Sequence, residues 1–468
     1  MGVRETSDSK ISTRTLGQPD ILKLIASTSL LLGEELRNEF VQITDLIGSS
    51  LRDSILKGNN VHPDIKINMV SPLSWSSLRG EVVCFIDGGV GEVDILTKRP
   101  LILRSGIFKI ITGERDLDAR EDFLTFPIFV GDIKKGLKTS NDFSNILRII
   151  IECLSAYRVS IDPRYKDVEY LLVHGPILYH MSAYSGHFVG AEDIINIWDT
   201  SGGQDSGLTA HQLLENYSKF VGENRDNPEW YYMNGDPELI RMPGFIEYLM
   251  HEIVNAPNGF KLIGVVERGP QTEYLRDYIV PILRDVAPDL LEQIVGDISR
   301  MSTSAIGEKL IQTSNYNDAL IHSLTLEPKE YTSPVATEQR YSGFKDDLTG
   351  FGTVLARSVP ISYSFLKVRN NTIPIRVETI TTQNDYQEEI ISRVYMYSTL
   401  LPQYAFPIGL DIVDKYAKVP DWMMNTLRTL VTIKMGEQAD DIDKIESLRK
   451  MLSQILISKR DFYYRPDA

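Results

Sequence analysis

The sequence predicts an α/β fold: a mixed-sheet core with helical insertions and with helices at its N- and C-terminal ends. Three observations lead there. Residues 82–86 (VVCFI) and 170–173 (YLLV) are short apolar runs, and each stops at one polar residue, Asp87 or His174, followed by glycine. Such runs, rich in β-branched and aromatic residues, read as buried strands. Between and after them apolar residues recur at helical spacing, and this alternation of strands and helices is the order of an α/β core.

At 468 residues the chain has material for two or three lobes. The expected division is a helical arm over 1–75, the first part of the core over 76–200, a mostly helical insertion over 201–355 that carries one core strand at 261–268, and the end of the core with C-terminal helices over 356–468. In the arm, apolar spacing from about 19 to 56 fits one or two long amphipathic helices, with Gly33 as a candidate break. After strand 82–87, Gly88-Gly89 is expected to turn the backbone away. Residues 102–112 then read as a second strand of a meander, and 142–157 as a helix capped by Ser140 or Asn141. The stretch 199–238, rich in Gly, Asp, Asn and Ser, reads as loops with a short helix. A helix at 237–255 leads to strand 261–269. Residues 270–355 read as largely helical, 360–368 and 373–380 as a hairpin, and the chain from about 385 as helical.

Hydrophobic content of 42% and charged content of 24% are ordinary for a globular protein. No run approaches the roughly 18 apolar residues of a membrane span. Cys84 and Cys153 both sit in apolar runs and are expected to be reduced core residues of a cytoplasmic protein. Two cysteines leave no zinc-ribbon spacing. The formal net charge of −15 argues against a protein that coats nucleic acid non-specifically, but not against an enzyme with one basic channel. Gly89-Val90-Gly91 is no dinucleotide fingerprint, because Asp94 stands at the third glycine and strand-like sequence follows.

Four residues stand where chemistry is expected. Asp87 and His174 end strands. Glu152 lies among Ile149, Ile150, Ile151, Cys153 and Leu154 on a helix, and a buried glutamate needs a partner or a cation. On the helix begun by Pro407, Leu410, Val413 and Ala417 mark an inward face that Asp414 shares, whereas Asp411 lies nearer the outside. The alternatives are that Asp87 caps a turn and that Glu152 pairs with Arg148. Three carboxylates and an imidazole suit one or two hard divalent ions, Mn²⁺ or Mg²⁺, and two such ions are the usual apparatus of phosphodiester hydrolysis.

In these residues the chain resembles the NurA family of prokaryotic nucleases, over roughly 80–420. The matching elements are Asp87-Gly88 at a strand end and Arg148, Glu152 and Ala156 on a helix. His174-Gly175-Pro176, the strand Gly264-Val265-Val266, Lys367, Ile-Arg-Val-Glu at 375–378 and the helix from Pro407 follow in order. The resemblance implies an RNase H-like core and a Mn²⁺- or Mg²⁺-dependent centre at Asp87, Glu152, His174 and Asp414. It also implies DNA contacts through Arg268 and Lys367, a homodimer, and DNA-end processing with a HerA-like hexameric ATPase, in repair or anti-phage defence. The family usually has Asp at 174, Tyr at 406 and His at 414, and its Gly-Val strand usually ends in Lys, where Glu267 stands. Either Asp and His have exchanged places, keeping the ligand inventory, or the chain is a catalytically silent NurA-like subunit that docks on or gates a translocase. An RNase H-like enzyme working without a translocase is a further alternative.

Overall fold

The computed structural model of the chain describes residues 19–36, 42–58, 61–71, 73–92, 100–116, 121–132, 140–179, 181–224, 228–256, 258–267, 269, 271–314, 317–337, 357–401 and 404–437. The chain forms two units, Met1–Lys66 with Gln271–Leu326, and Ile67–Pro270 with Glu327–Ala468. No helix among the described residues is long and apolar enough to cross a membrane.

The larger unit is mixed α/β. Its strands are β1 (Ile67–Met69), β2 (Val82–Glu92), β3 (Pro100–Ile111), β4 (Glu121–Asp132), β5 (Tyr170–His174), β6 (Phe188–Gly190), β7 (Tyr232–Met233), β8 (Asp236–Arg241), β9 (Lys261–Val266), β10 (Glu330–Thr332), β11 (Val335–Ala336), β12 (Ile361–Lys367) and β13 (Ile375–Ile380). Ten of them make one sheet in the order β1-β10-β12-β13-β9-β5-β2-β3-β4, with β11 beside β12. At its centre β2, β5 and β9 run parallel, while β3, β4 and β13 are antiparallel to their neighbours. Central strands covered on both faces are apolar throughout. Along β2, Val82, Cys84 and Ile86 enter one core, beneath the helix Ser140–Ile161. Val83 and Phe85 enter the other, beneath Gln387–Ser398 and Ile408–Ala417.

Three sequence expectations are corrected. The glycine pair does not end the strand, and β2 runs on to Glu92. Its glycines serve close approach instead: a Cβ on Gly88 would lie 2.8 Å from Glu152 Cγ, and one on Gly89 would lie 2.0 Å from the Ala417 carbonyl oxygen. Residues 199–238 are more ordered than their composition suggests, with a helix at Ala210–Asn224 and a three-stranded sheet β6-β8-β7. In the 270–355 stretch, the helices give way to β10 and β11.

In the smaller unit the apolar spacing of 19–56 forms two helices, Pro19–Leu36 and Gln42–Lys57, and Gly33 lies inside the first without breaking it. Asp318 is buried and accepts hydrogen bonds from the backbone N–H groups of Tyr274 and Leu275 at 3.1 and 2.8 Å. One turn on, the His322 ring is buried edge-on to Tyr274 at 4.5 Å.

Candidate metal centre

Strand alternation decides which acids meet. Asp87 follows Val83 and Phe85 at period two, so its side chain leaves the same face of β2. His174 follows Tyr170 and Leu172 on β5 in the same way, and the two strands are adjacent and parallel, with Ile86 opposite Val173. The helix Ile408–Ala417 packs on that face. It buries Leu410, Val413 and Ala417, and it leaves Asp414 half-buried at the edge of its inward side. The result is a group of three, Asp87, His174 and Asp414, each with a ligand atom within 4.8 Å of the others.

Asp87 is almost wholly buried, and its two oxygens are spoken for. Oδ1 accepts the Gly88 backbone N–H at 2.8 Å, and Oδ2 lies 3.0 Å from His174 Nδ1. Burial alone would lower the His174 pKa. The hydrogen bond that Asp87 accepts and the charges of Asp87, Asp414 and Glu152 outweigh it, and the net shift is upward. The other side of the imidazole is apolar, with the Phe406 ring 5.2 Å away. Behind it, the turn at 175–177 is held by one conformational feature and two hydrogen bonds. These are the left-handed backbone of Gly175 at φ +115, the Gly175 N–H donating to the Val265 carbonyl, and the Ile177 N–H donating to Glu378 Oε2 at 2.9 Å. Glu378 is itself fully buried and paired at 3.0 Å with Arg376, whose guanidinium lies over the Tyr363 ring.

Glu152 is not a member of the group of three. It rises from the helix on the opposite face of the sheet and lies against Gly88, with Arg148 four residues earlier paired to its Oε1. Burial pushes its pKa up to about 7, with the Arg148 charge opposing and the Asp87 charge adding to the rise. Arg148 also reaches the Tyr179 hydroxyl at 3.3 Å. The four expected site residues are therefore split, three on one face of β2 and one beneath it. Of the two expected DNA contacts, Arg268 lies outside the described residues. Lys367 ends β12, three strands from β5, and is 4% exposed, so its ammonium is not presented on an open surface.

Two residues to which the sequence assigned no role complete the surroundings, one of them, Glu378, inside the 375–378 motif. Lys418 pairs with Asp414 at 2.9 Å, and Glu378 fixes the turn behind His174. For Lys418 the signal was its i+4 spacing from Asp414. For Glu378 it was a charged pair at period two, Arg376 and Glu378, inside an otherwise apolar strand.

The fold and site define a class: a mixed α/β protein with two aspartates and a histidine converging where adjacent parallel strands leave the core. More particularly, the fold is the NurA fold. The crystal structure of the NurA nuclease from Sulfolobus solfataricus matches it with a TM-score of 0.50 over 90% of this chain and 99% of that one, at 13% identity. A NurA structure with manganese and one bound to dAMP and manganese align with TM-scores of 0.38 and 0.40, at 13% and 10% identity, over 85% and 86% of this chain and 94% of each of theirs. Those two are too loosely matched to support an inference. No protein-family model and no curated protein matches the sequence. Likeness at this identity establishes the fold alone.

Proposed function

We propose that this chain is a divalent-metal-dependent deoxyribonuclease that processes DNA ends. Its carrying observation is the convergence of Asp87 in the middle of β2, His174 at the end of β5 and Asp414 on the Ile408–Ala417 helix, in a NurA-type fold. The donors fit a divalent ion. Two carboxylates and a neutral imidazole balance its charge, and oxygen with imidazole ligation suits Mn²⁺ and accommodates Mg²⁺. Their ligand atoms lie within 4.8 Å of one another, close to the roughly 4.2 Å that separates ligands on opposite sides of an ion bound at about 2.1 Å. Such an ion supplies an activated water and stabilisation of the leaving oxygen. The protein's own part is to hold Asp87 and His174 on two rigid strands and to close the apolar side with Phe406. Glu152 and Arg148 brace the Asp87-Gly88 segment from beneath.

On this reading the core is RNase H-like, the enzyme is cytoplasmic and homodimeric, and a HerA-like hexameric ATPase feeds it DNA in repair or anti-phage defence. The fold's likeness is what supports this. A second reading, a catalytically silent NurA-like subunit that docks on or gates the translocase, has one observation in its favour: the Glu152 carboxylate is engaged by Arg148 and stands outside the group of three. Incubation of the purified protein with linear duplex DNA and Mn²⁺, with and without a HerA-type ATPase, separates the two. Cleavage that disappears in Asp87→Asn supports the nuclease. A wild type that binds Mn²⁺ yet leaves DNA intact in every combination hands the case to the silent subunit.

A further inference from the structure

Lys418 follows the Ile408–Ala417 helix, and its ammonium lies 2.9 Å from the Asp414 carboxylate. Its backbone is pinned. The Lys418 carbonyl accepts from Arg104 Nη1 at 3.0 Å, its N–H donates to the Asp414 carbonyl at 3.0 Å, and its Cα packs against β2 at Gly89. The side chain is not pinned. It is 71% exposed on a flexible four-carbon stem, so the ammonium can swing while the backbone stays put. Its pKa is raised first by the Asp414 hydrogen bond and charge, and Asp87 adds to the rise. Neighbouring cations are occupied elsewhere: Lys415 pairs with Asp411 at 2.5 Å, and Arg148 pairs with Glu152 on the other face of the sheet.

We infer that Lys418 is the resident counter-ion of this acidic centre, yielding Asp414 to a divalent cation and then meeting a non-bridging oxygen of the substrate phosphodiester. An ammonium and a metal ion compete for the same carboxylate, because direct coordination uses the oxygen lone pairs that the N–H groups occupy. Displaced from Asp414, the ammonium stays within the reach of its stem beside the ion, where an incoming phosphate places negative charge. Lysine suits that contact as a compact point charge. The second half of the inference rests on the nuclease reading, whereas the first does not.

Two measurements test it on the full-length protein, using Lys418→Ala and Lys418→Arg. In calorimetric titration with Mn²⁺ alone, removing the competing ammonium should tighten binding roughly two- to five-fold, the scale of an exposed ion pair, and Lys418→Arg should stay near wild type. Unchanged or weaker Mn²⁺ binding by Lys418→Ala overturns the counter-ion role. In Mn²⁺, anisotropy of a fluorescent, cleavage-resistant phosphorothioate oligonucleotide should show at least about five-fold weaker binding by Lys418→Ala, with a salt slope smaller by about one. If wild type and Lys418→Ala bind the oligonucleotide equally, the phosphate contact is wrong. A wild type that binds none at any salt sinks the nuclease reading and the phosphate contact together, and the Mn²⁺ titration alone then decides the counter-ion role.

Discussion

Nδ1 of His174 lies 3.0 Å from Oδ2 of Asp87, joining the end of β5 to the middle of the adjacent parallel strand β2 through their side chains. A carboxylate on one ring nitrogen fixes the ring's orientation and selects the tautomer in which the Nε2 lone pair is left to ligate a metal. Replacing Asp87 by Asn keeps the shape and removes the charge. We expect Asp87→Asn to lose at least about 100-fold in Mn²⁺ affinity or DNA cleavage while far-UV circular dichroism stays unchanged. Full activity in this variant removes Asp87 from the site.

Gly89 tests the link between β2 and the helix that carries Asp414. A Cβ there would sit 2.0 Å from the Ala417 carbonyl oxygen and 3.3 Å from Lys418 Cα, and backbone cannot step aside as a side chain can. Gly89→Ala should therefore cost about 1–3 kcal/mol by urea unfolding and weaken Mn²⁺ binding, because the helix must shift with Asp414 on it. A variant with wild-type values in both measurements contradicts the packing described.

How far the site was legible depended on whether a local pattern encoded it. Apolar runs stopping at Asp87 and His174 announced two core strands, though only the second ends at its polar residue, and helical spacing placed Asp414 on the inward side. Face was harder to read. Glu152 was visible as a buried acid, yet only the alternation of β2 against a helix on its far side shows that it approaches from the Gly88 side, near enough for its charge to act on Asp87 and His174. Gly88-Gly89 misled because glycine signals both turns and close approach, and sequence does not say which neighbour approaches. The short strands β10 and β11 have no period of their own. They exist because β12 offers an edge to pair with, a tertiary cause that local propensity does not contain.

The Arg148–Glu152 pair should behave as a buried ion pair. Glu152 is 3% exposed, and the Arg148 charge offsets part of the cost of burying its carboxylate. Glu152→Gln leaves the guanidinium facing a neutral amide, and we expect about 3 kcal/mol of destabilisation. Replacing both residues by Met should recover most of that loss, since two apolar side chains of similar length carry no desolvation cost. Chemical unfolding of the single and double variants checks this. Equal losses in the two would mean that the pair contributes through more than its charge balance.

His322 sets an acid limit on the smaller unit. Burial pushes its pKa down to about 3, well below the ordinary 6.5. Between those values the unfolded chain binds a proton that the folded one does not, so stability rises with pH and is lost as pH falls through 6.5 toward 3. The slope is about 1.4 kcal/mol per pH unit. Hydrogen exchange of peptides from the Asp318–Thr325 helix should show that slope between pH 6.5 and 5, above the range where most carboxylates titrate. His322→Leu should flatten it, and an unchanged slope would assign the acid sensitivity to another group.

His174 and Asp414 give the sharpest test of the centre as a unit, because the structure brings both within ligand distance of Asp87. His174→Asp would put three carboxylates in the group, with one negative charge too many for a single divalent ion. Asp414→His would leave two imidazoles and one anion, and would also strip Lys418 of its partner. Each change alone should weaken Mn²⁺ binding by about ten-fold or more, through repulsion in the first case and lost charge in the second. Made together, the two changes restore two carboxylates and one imidazole, and affinity should return most of the way. The coupling energy should be about 1–3 kcal/mol, as for residues that share one site. Mn²⁺ titration and cleavage of linear duplex DNA for all four proteins supply both readouts. Additive losses would mean that the two residues act on separate ions or on none. Restored binding without cleavage in either the wild type or the double variant would keep the metal centre and discard the nuclease.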